Sequence, residues 1–156
     1  MAHNLNFNEK TGKPSFVAVG EKAWHGLGQY VNQALTAKEA IELGGLDFEV
    51  EKKRIQVCGG KTIPGYFATE RTDNKDVLGI VSDAYHVVQN KEAFTFFDSI
   101  VDQDEAIYQT AGALGKGEKI FITAKLPTDI LVHGEQVENY LLLTSGHDGR
   151  SAIQVG

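Results

Sequence analysis

Val77-Leu-Gly-Ile-Val-Ser-Asp-Ala-Tyr-His-Val-Val-Gln-Asn-Lys-Glu-Ala-Phe-Thr-Phe-Phe-Asp-Ser-Ile-Val101 changes its apolar period midway, from strand-like to helix-like. Val77, Leu78, Ile80 and Val81 make one short apolar run. Tyr85, Val87 and Val88 make a second, with turn-prone Ser82-Asp83-Ala84 between them. Asn90 suits the position that caps a helix, because its side-chain oxygen can accept an N–H of the first turn. Beyond it Ala93, Phe94, Phe97, Ile100 and Val101 recur at three- and four-residue steps, and Phe96 widens the stripe. A helix so aromatic on one side needs a sheet to lie on. The spacing therefore predicts a helix over about 90–102 that roofs a sheet.

Working outward, the same logic assigns the flanks. Thr36-Ala-Lys-Glu39 fits a capping box, in which a Thr hydroxyl and a Glu carboxylate satisfy each other's backbone donors, and Gly44-Gly45 supplies a left-handed stop. A short helix over about 36–44 follows. Phe48, Val50, Ile55 and Val57 alternate with charged residues, as in a strand with one wet face, and Tyr66–Thr72 reads as the strand returning from the turns Gly59-Gly60 and Pro64-Gly65. Phe16–Val19, Ala106–Ala111, Lys119–Leu126 and Val137–Thr144 are further strand candidates. Many strands with two unevenly spaced helices define an α+β fold with a mainly antiparallel sheet. Residues 1–14, with three Asn, Gly12 and Pro14 and no period, read as a flexible N-terminal arm. Residues 15–156 read as one domain. Because Ser151–Gly156 resembles a strand barely begun, that domain is expected to be the N-terminal part of a longer protein.

Composition narrows the classes of function. A chain of 156 residues can bury one core without a staple, and its single Cys58 cannot form an internal disulfide. No apolar leader follows Met1 and no run approaches a membrane span, so a cytoplasmic protein with no membrane partner is expected. A net charge of -6 and a pI near 5.3 oppose a broad electrostatic grip on nucleic acid. A local basic strip remains compatible with that balance.

The candidate chemistry is sparse. His3, His25, His86, His133 and His147 never pair at the spacing that sets two ligands on one face, and with one Cys no metal and no cofactor are expected. Gly112-x-x-Gly115-x-Gly117-x-Lys119 lacks the lysine directly after the last glycine and the following helix that a phosphate loop needs, so it reads as a hairpin loop. Ser145-Gly-His147-Asp148-Gly149 could set a base beside a carboxylate but lacks the elbow of a serine hydrolase. Ala23-Trp24-His25-Gly-Leu-Gly28 sets an aromatic plate beside backbone that can approach a partner, and Asp83, Tyr85 and His86 gather polar groups in one bend. Trp24, His25, Asp83, Tyr85, His86, His147 and Asp148 are thus the candidate pocket. The one basic cluster is Lys52-Lys53-Arg54, with Lys61 across the hairpin and Tyr66 on the return strand, a set that can track phosphates while an aromatic stacks a base.

Taken together, Ala23–Gly28, Arg71-Thr-Asp73, Leu78-Gly-Ile-Val-Ser-Asp-x-Tyr-x-Val-Val-Gln-Asn-x-Glu-Ala-Phe94, Ala113-Leu-Gly-Lys-Gly-Glu118 and Ser145–Gly149 resemble the phage/plasmid-like proteins grouped as domain of unknown function 932. The resemblance spans most of the chain from Ala23. It implies a setting in prophages, phages and plasmids, a parent protein longer than this chain, and no catalytic residue that can be carried over. The order of elements is also similar, at the level of fold, to phage single-strand annealing proteins. The resulting expectation is a non-enzymatic accessory domain in mobile-element DNA transactions that binds single-stranded nucleic acid through Lys52, Lys53, Arg54, Lys61 and Tyr66. The alternatives are an enzyme, a hydrolase or nucleotide-modifying protein with the pocket named above, and a protein-interaction domain able to form oligomers.

Overall fold

Alternating apolar positions need a partner layer, and the computed structural model shows how the chain supplies it; it describes residues 4–20, 26–103 and 106–156. The strands are β1 (Phe7–Asn8), β2 (Lys13–Pro14), β3 (Phe16–Val19), β4 (Gln29–Val31), β5 (Val50–Gln56), β6 (Thr62–Arg71) and β7 (Val77–Ser82). After the second helix come β8 (Ile107–Leu114), β9 (Lys119–Lys125), β10 (Ile130–Val132), β11 (Glu135–Val137), β12 (Tyr140–Gly146) and β13 (Gln154–Val155). The helices are α1 (Ala37–Leu43) and α2 (Asn90–Gln103). The fold is α+β with mostly antiparallel pairing.

The pairing divides into separate sheets, which periodicity had not distinguished. One sheet of six strands runs β13-β12-β9-β8-β3-β4, antiparallel except for β3 and β4. A second is the meander β5-β6-β7. Two short ribbons, β1-β2 and β10-β11, stand beside them.

Helix α2 roofs the larger sheet as its spacing predicts. Ala93, Phe94, Phe97 and Val101 are buried, and both Phe94 and Phe97 meet the Tyr108 ring of β8 at centroid distances of 5.9 and 6.1 Å. Tyr108 donates its hydroxyl proton to Asp98 at 2.8 Å, so the phenol keeps a polar partner at the rim of the core. Across the sheet Ala111, Ala113, Ile120, Ile122, Ala124 and Leu143 complete the apolar face. The small side chains on β8 let α1 come close: a Cβ on Gly44 would lie 3.4 Å from that of Ala111. Phe96, expected to widen the stripe, is 49% exposed, because its position falls on the far side of the helix from Phe94 and Phe97.

The ends of α1 follow the sequence closely. Thr36 Oγ1 accepts the Glu39 N–H, and Glu39 accepts the Thr36 N–H at 2.8 Å, the reciprocal pair of a capping box. Gly45, at φ 68, makes the left-handed turn; its N–H reaches Glu42 O while the Leu46 N–H reaches Ile41 O, closing a Schellman motif. The start of α2 departs from expectation. Gln89, not Asn90, holds the capping position: its carbonyl accepts the Ala93 N–H and its N–H is taken by Glu92. Asn90 is the first helical residue and is buried, its amide drawn into a network described below.

Other expectations are adjusted in detail. Tyr85–Val88 forms no strand but runs unpaired between the turn at Asp83-Ala84 and α2. The β8–β9 connection is shorter than Gly112–Gly117, since β8 continues to Leu114 before a turn through Gly115 and Gly117, both at positive φ. The Val137–Thr144 run breaks at Glu138-Asn139, separating the β10–β11 ribbon from β12. Residues 4–6 of the arm lie against the larger sheet, and residues 7–14 form the β1–β2 ribbon. The Asn6 N–H donates to Ala113 O at 2.8 Å, the Gly115 N–H to Asn4 O at 2.7 Å, and the Asn6 side chain is buried.

Candidate functional site

Val50 and Leu78 of the meander share one apolar core with the larger sheet, and a buried set of polar side chains adds to that junction. Arg71, the last residue of β6, is only 3% exposed. Its Nε and Nη2 donate to the two oxygens of Asp73 at 2.9 and 2.7 Å, and Nη1 donates to Lys116 O at 2.8 Å in the β8–β9 turn. The guanidinium lies 3.9 Å over the Phe48 ring, and Asn6 Oδ1 completes its surroundings. A buried arginine needs this density of acceptors, because removing a charge from water without them costs several kcal/mol, on the order of 5. In return the guanidinium beside Asp73 holds that carboxyl below the usual carboxylate range.

His147 is the second member and is fully buried. The Asn90 amide nitrogen is committed to the carbonyls of Leu46 at 3.0 Å and Phe48 at 3.5 Å, so Asn90 Oδ1 faces the imidazole and Nε2 donates to it at 2.8 Å. That arrangement fixes the tautomer and leaves Nδ1 as an unprotonated, buried nitrogen without a partner among the described residues. Burial pushes the imidazole pKa down to about 4, against the pull of Asp148 and in the same direction as Arg71. The backbone around the ring is pinned as well. The His147 N–H donates to Glu118 O at 2.7 Å, and His147 O accepts the Thr69 hydroxyl at 2.6 Å.

The turn that carries His147 is pressed onto β7. A Cβ on Gly79 would lie 2.6 Å from Asp148 Cα, and one on Gly149, at φ +76, would lie 2.8 Å from a methyl carbon of Val81. Only glycine permits that approach. Tyr85 closes the other side, donating its hydroxyl proton to Gly146 O at 3.0 Å; burial, with the Asp148 charge adding to it, raises the phenol pKa. Gln89 acts as a substitute strand, donating to Val50 O at 2.6 Å and accepting the Val50 N–H at 3.0 Å.

Beside this hub a cleft of about 790 Å³ opens. Its walls are β7 at Leu78–Ile80, the β8–β9 turn from Leu114 to Lys119, the Asp148–Arg150 turn, and Asn4.

The residues singled out in the sequence are thus sorted. Tyr85, His147 and Asp148 come together, but as a sealed packing unit: Ser145 and His147 are both buried, and the imidazole meets Asn90, not a serine. Asp83 and His86 are exposed and apart from that unit. Trp24 and His25 lie outside the described residues. Cys58 is free and exposed in the β5–β6 connection.

The basic cluster is divided between roles. Lys52 is held by the carbonyls of Asp83 at 2.8 Å and Tyr85 at 3.0 Å and lies 4.9 Å over Phe67. Lys53 pairs with Glu51 at 2.9 Å. Arg54 and Lys61 are exposed and, among the described residues, carry no ion pair. Tyr66 is 56% exposed on the outer face of the meander, opposite Ser82, next to the row Lys53, Ala68 and Ile80. Sequence reasoning missed Phe48, Thr69, Gln89 and Arg71 as site residues. Arg71-Thr-Asp73 at the end of an apolar strand was the one signal, an arginine placed to be buried with its own acid.

A two-sheet α+β domain pinned by a sealed arginine–histidine hub, with an open cleft beside it, is the class this structure defines. Residues 77–156, just over half the chain, match the family model described as Domain of unknown function (DUF932), and the chain belongs to that family. No curated protein and no solved structure matches it. Among the described residues no helix is long and apolar enough to cross a membrane, and no group of three His, Cys, Asp or Glu side chains is placed to hold a metal ion.

Proposed function

We propose that this chain is a non-catalytic accessory domain of phage, prophage or plasmid proteins, and that it takes single-stranded nucleic acid on the outer face of β5–β7. The observation that carries this reading is Tyr66, an aromatic ring left open to solvent in the middle of a strand, with Ile80 beside it 64% exposed. Lys61 in the β5–β6 connection and Arg54, whose register partner is Phe67 and whose side chain leaves the opposite face of the hairpin from Tyr66, supply cations that form no ion pair among the described residues. An exposed stacking ring on a hairpin that also carries cations is a feature of proteins that hold single strands without reading sequence. The reading as a hydrolase or nucleotide-modifying enzyme draws less support, because the fold encloses His147 and leaves His86 elsewhere.

The test is fluorescence anisotropy of a labelled oligothymidylate. The double variant Arg54→Glu/Lys61→Glu is expected to weaken binding and flatten its salt dependence. Two phosphate contacts correspond to about a sevenfold loss of affinity between about 50 and 200 mM salt, which the variant should not show. Tyr66→Ala should cost about 1–3 kcal/mol of binding. No binding by the unmodified chain at low salt would discard the proposal.

A further inference from the structure

Strand β5 gives the meander one long open edge, and its main chain and charge define what can pair there. The Thr72 N–H donates to Glu49 O, which sets Glu51 and Lys53 as residues bonded to β6 and turns the N–H and C=O of Val50, Lys52 and Arg54 to the other side. At Val50 those two groups are met by the Gln89 side chain, at 3.0 and 2.6 Å. Among the described residues no strand continues that pairing along Lys52 and Arg54. Outer strands elsewhere are short or covered. β1, β2, β4, β10, β11 and β13 have two or three residues each. The free side of β7 faces the turn after β12, where a Cβ on Gly149 would lie 3.1 Å from Ile80 O.

Charge then selects the occupant. Residues 50–61 hold four bases, Lys52, Lys53, Arg54 and Lys61, against one acid, Glu51, on a chain whose net charge is -6. Lys53 pairs with Glu51, whereas Arg54 and Lys61 form no ion pair among the described residues. Lys52 Nζ is bonded to two carbonyls and to no carboxylate among them. Glu70 is the register partner of Glu51, toward the Val50 end of the edge and away from Arg54. A second copy fits poorly here: in antiparallel self-pairing, every register centred on Lys52, Lys53 or Arg54 sets two cations directly opposite each other. Lysine on an edge guards against such pairing. It leaves the edge open to a strand of opposite charge.

We propose that an extended acidic segment of a partner protein adds to the meander as a fourth strand along β5, bonding the main chain of Lys52 and Arg54 and setting carboxylates beside those two side chains. The Gln89 amide already forms the first rung of that ladder. An added strand draws its affinity from main-chain hydrogen bonds and its specificity from side chains at alternate positions. Acid is needed only at every second position, because Lys53 points to the other face of the sheet and is already neutralised by Glu51. The ladder uses main-chain groups of the edge, so it does not rest on the outer face around Tyr66.

The test is a titration of the isotope-labelled full chain with a capped peptide of about seven residues alternating glutamate and threonine, read by amide hydrogen exchange. In the free chain the amides of Glu51 and Lys53 are expected to exchange slowly and those of Lys52 and Arg54 quickly. The peptide should slow Lys52 and Arg54, less so as salt rises. A peptide with lysine for glutamate should bind at least about tenfold more weakly. Arg54→Gln removes only the charge and should weaken binding about threefold. Arg54→Pro also removes the outward N–H while sparing the bonds to β6, and should cost about tenfold more. If that variant unfolds, a peptide with proline in place of a central glutamate makes the same deletion from the other strand and should not bind the unmodified chain. Tyr66→Ala should leave peptide binding unchanged, and oligothymidylate should leave Lys52 and Arg54 exchanging quickly, so this inference and the nucleic-acid reading fail separately. No slowing at millimolar peptide would overturn the inference. So would equal slowing by the lysine peptide or by oligothymidylate. Slow exchange of both amides in the free chain, with a doubled mass in sedimentation, would also overturn it and assign the edge to a second copy.

Discussion

His147 sets the acid limit of this fold. Its Nε2 proton already serves Asn90, so a second proton would enter at Nδ1, where the Arg71 charge opposes it and no acceptor is bonded among the described residues. The folded-state pKa of about 4 lies below the ordinary imidazole value of 6.5, so the unfolded chain binds more protons between those values. The contribution is therefore complete above about pH 6.5 and is lost as pH falls toward about 4, an effect on the order of 3 kcal/mol. Denaturant unfolding at a series of pH values should show this slope in the unmodified chain and not in His147→Gln. Asp73 acts in a lower window: its depressed pKa makes its contribution fade only as pH falls below the ordinary carboxylate value. Gly79 is the second residue-scale test. Gly79→Ala drives a methyl carbon into the Asp148 backbone and should cost about 3 kcal/mol; an unchanged unfolding midpoint would contradict the contact between β7 and the turn. Residues of this kind were only half legible. Ser145 and Gly146 end β12 and the chain bends from His147 on, but nothing local announces that His147 faces Asn90, 57 positions away.

At the scale of elements, periodicity and end signals decided most of the outcome. The α1 boundaries were legible because capping box and glycine stop act within a few residues, and Thr36→Ala should lower stability by about 1 kcal/mol, measured by thermal melting. Asn90 was misassigned for the opposite reason. A capping residue and a buried amide share one sequence signature, and tertiary partners at Leu46 and Phe48 chose between them. Sheet membership was illegible too: alternation marks a strand but not its neighbour, so the meander and the larger sheet look alike in sequence. The β10–β11 ribbon is the element least tied to the rest, with Ile130, Leu131, Val132 and Val137 all exposed. An isolated ribbon is marginal in water. Replacing Ile130–Val137 by a short glycine linker should leave the unfolding midpoint of the domain within error of the parent; a large drop would show that the ribbon supports the core.

For the whole molecule, the question is whether the two sheets unfold together. The meander meets the rest through Val50 and Leu78 in the shared core, through the close approach of Gly79 to Asp148, and through polar groups: Arg71 to Lys116 O, Thr69 to His147 O, and Gln89 to Val50. Hydrogen bonds of this sort give cooperativity only while every buried partner is satisfied. Arg71→Ala leaves Asp73 without its guanidinium, removes the donor from Lys116 O and uncovers the Phe48 ring, so a loss of about 3–5 kcal/mol is expected. Arg71→Met with Asp73→Asn keeps volume and removes both charges, and should recover a substantial part of that loss. The two variants separate electrostatics from packing, but the more telling measurement is hydrogen exchange. With the hub broken, amides of β5–β7 should lose protection at lower free energy than those of β8, β9 and α2, whose contacts through Phe94, Phe97 and Ile122 do not pass through Arg71. Uniform loss of protection across both sheets would mean that apolar packing, not the hub, couples them.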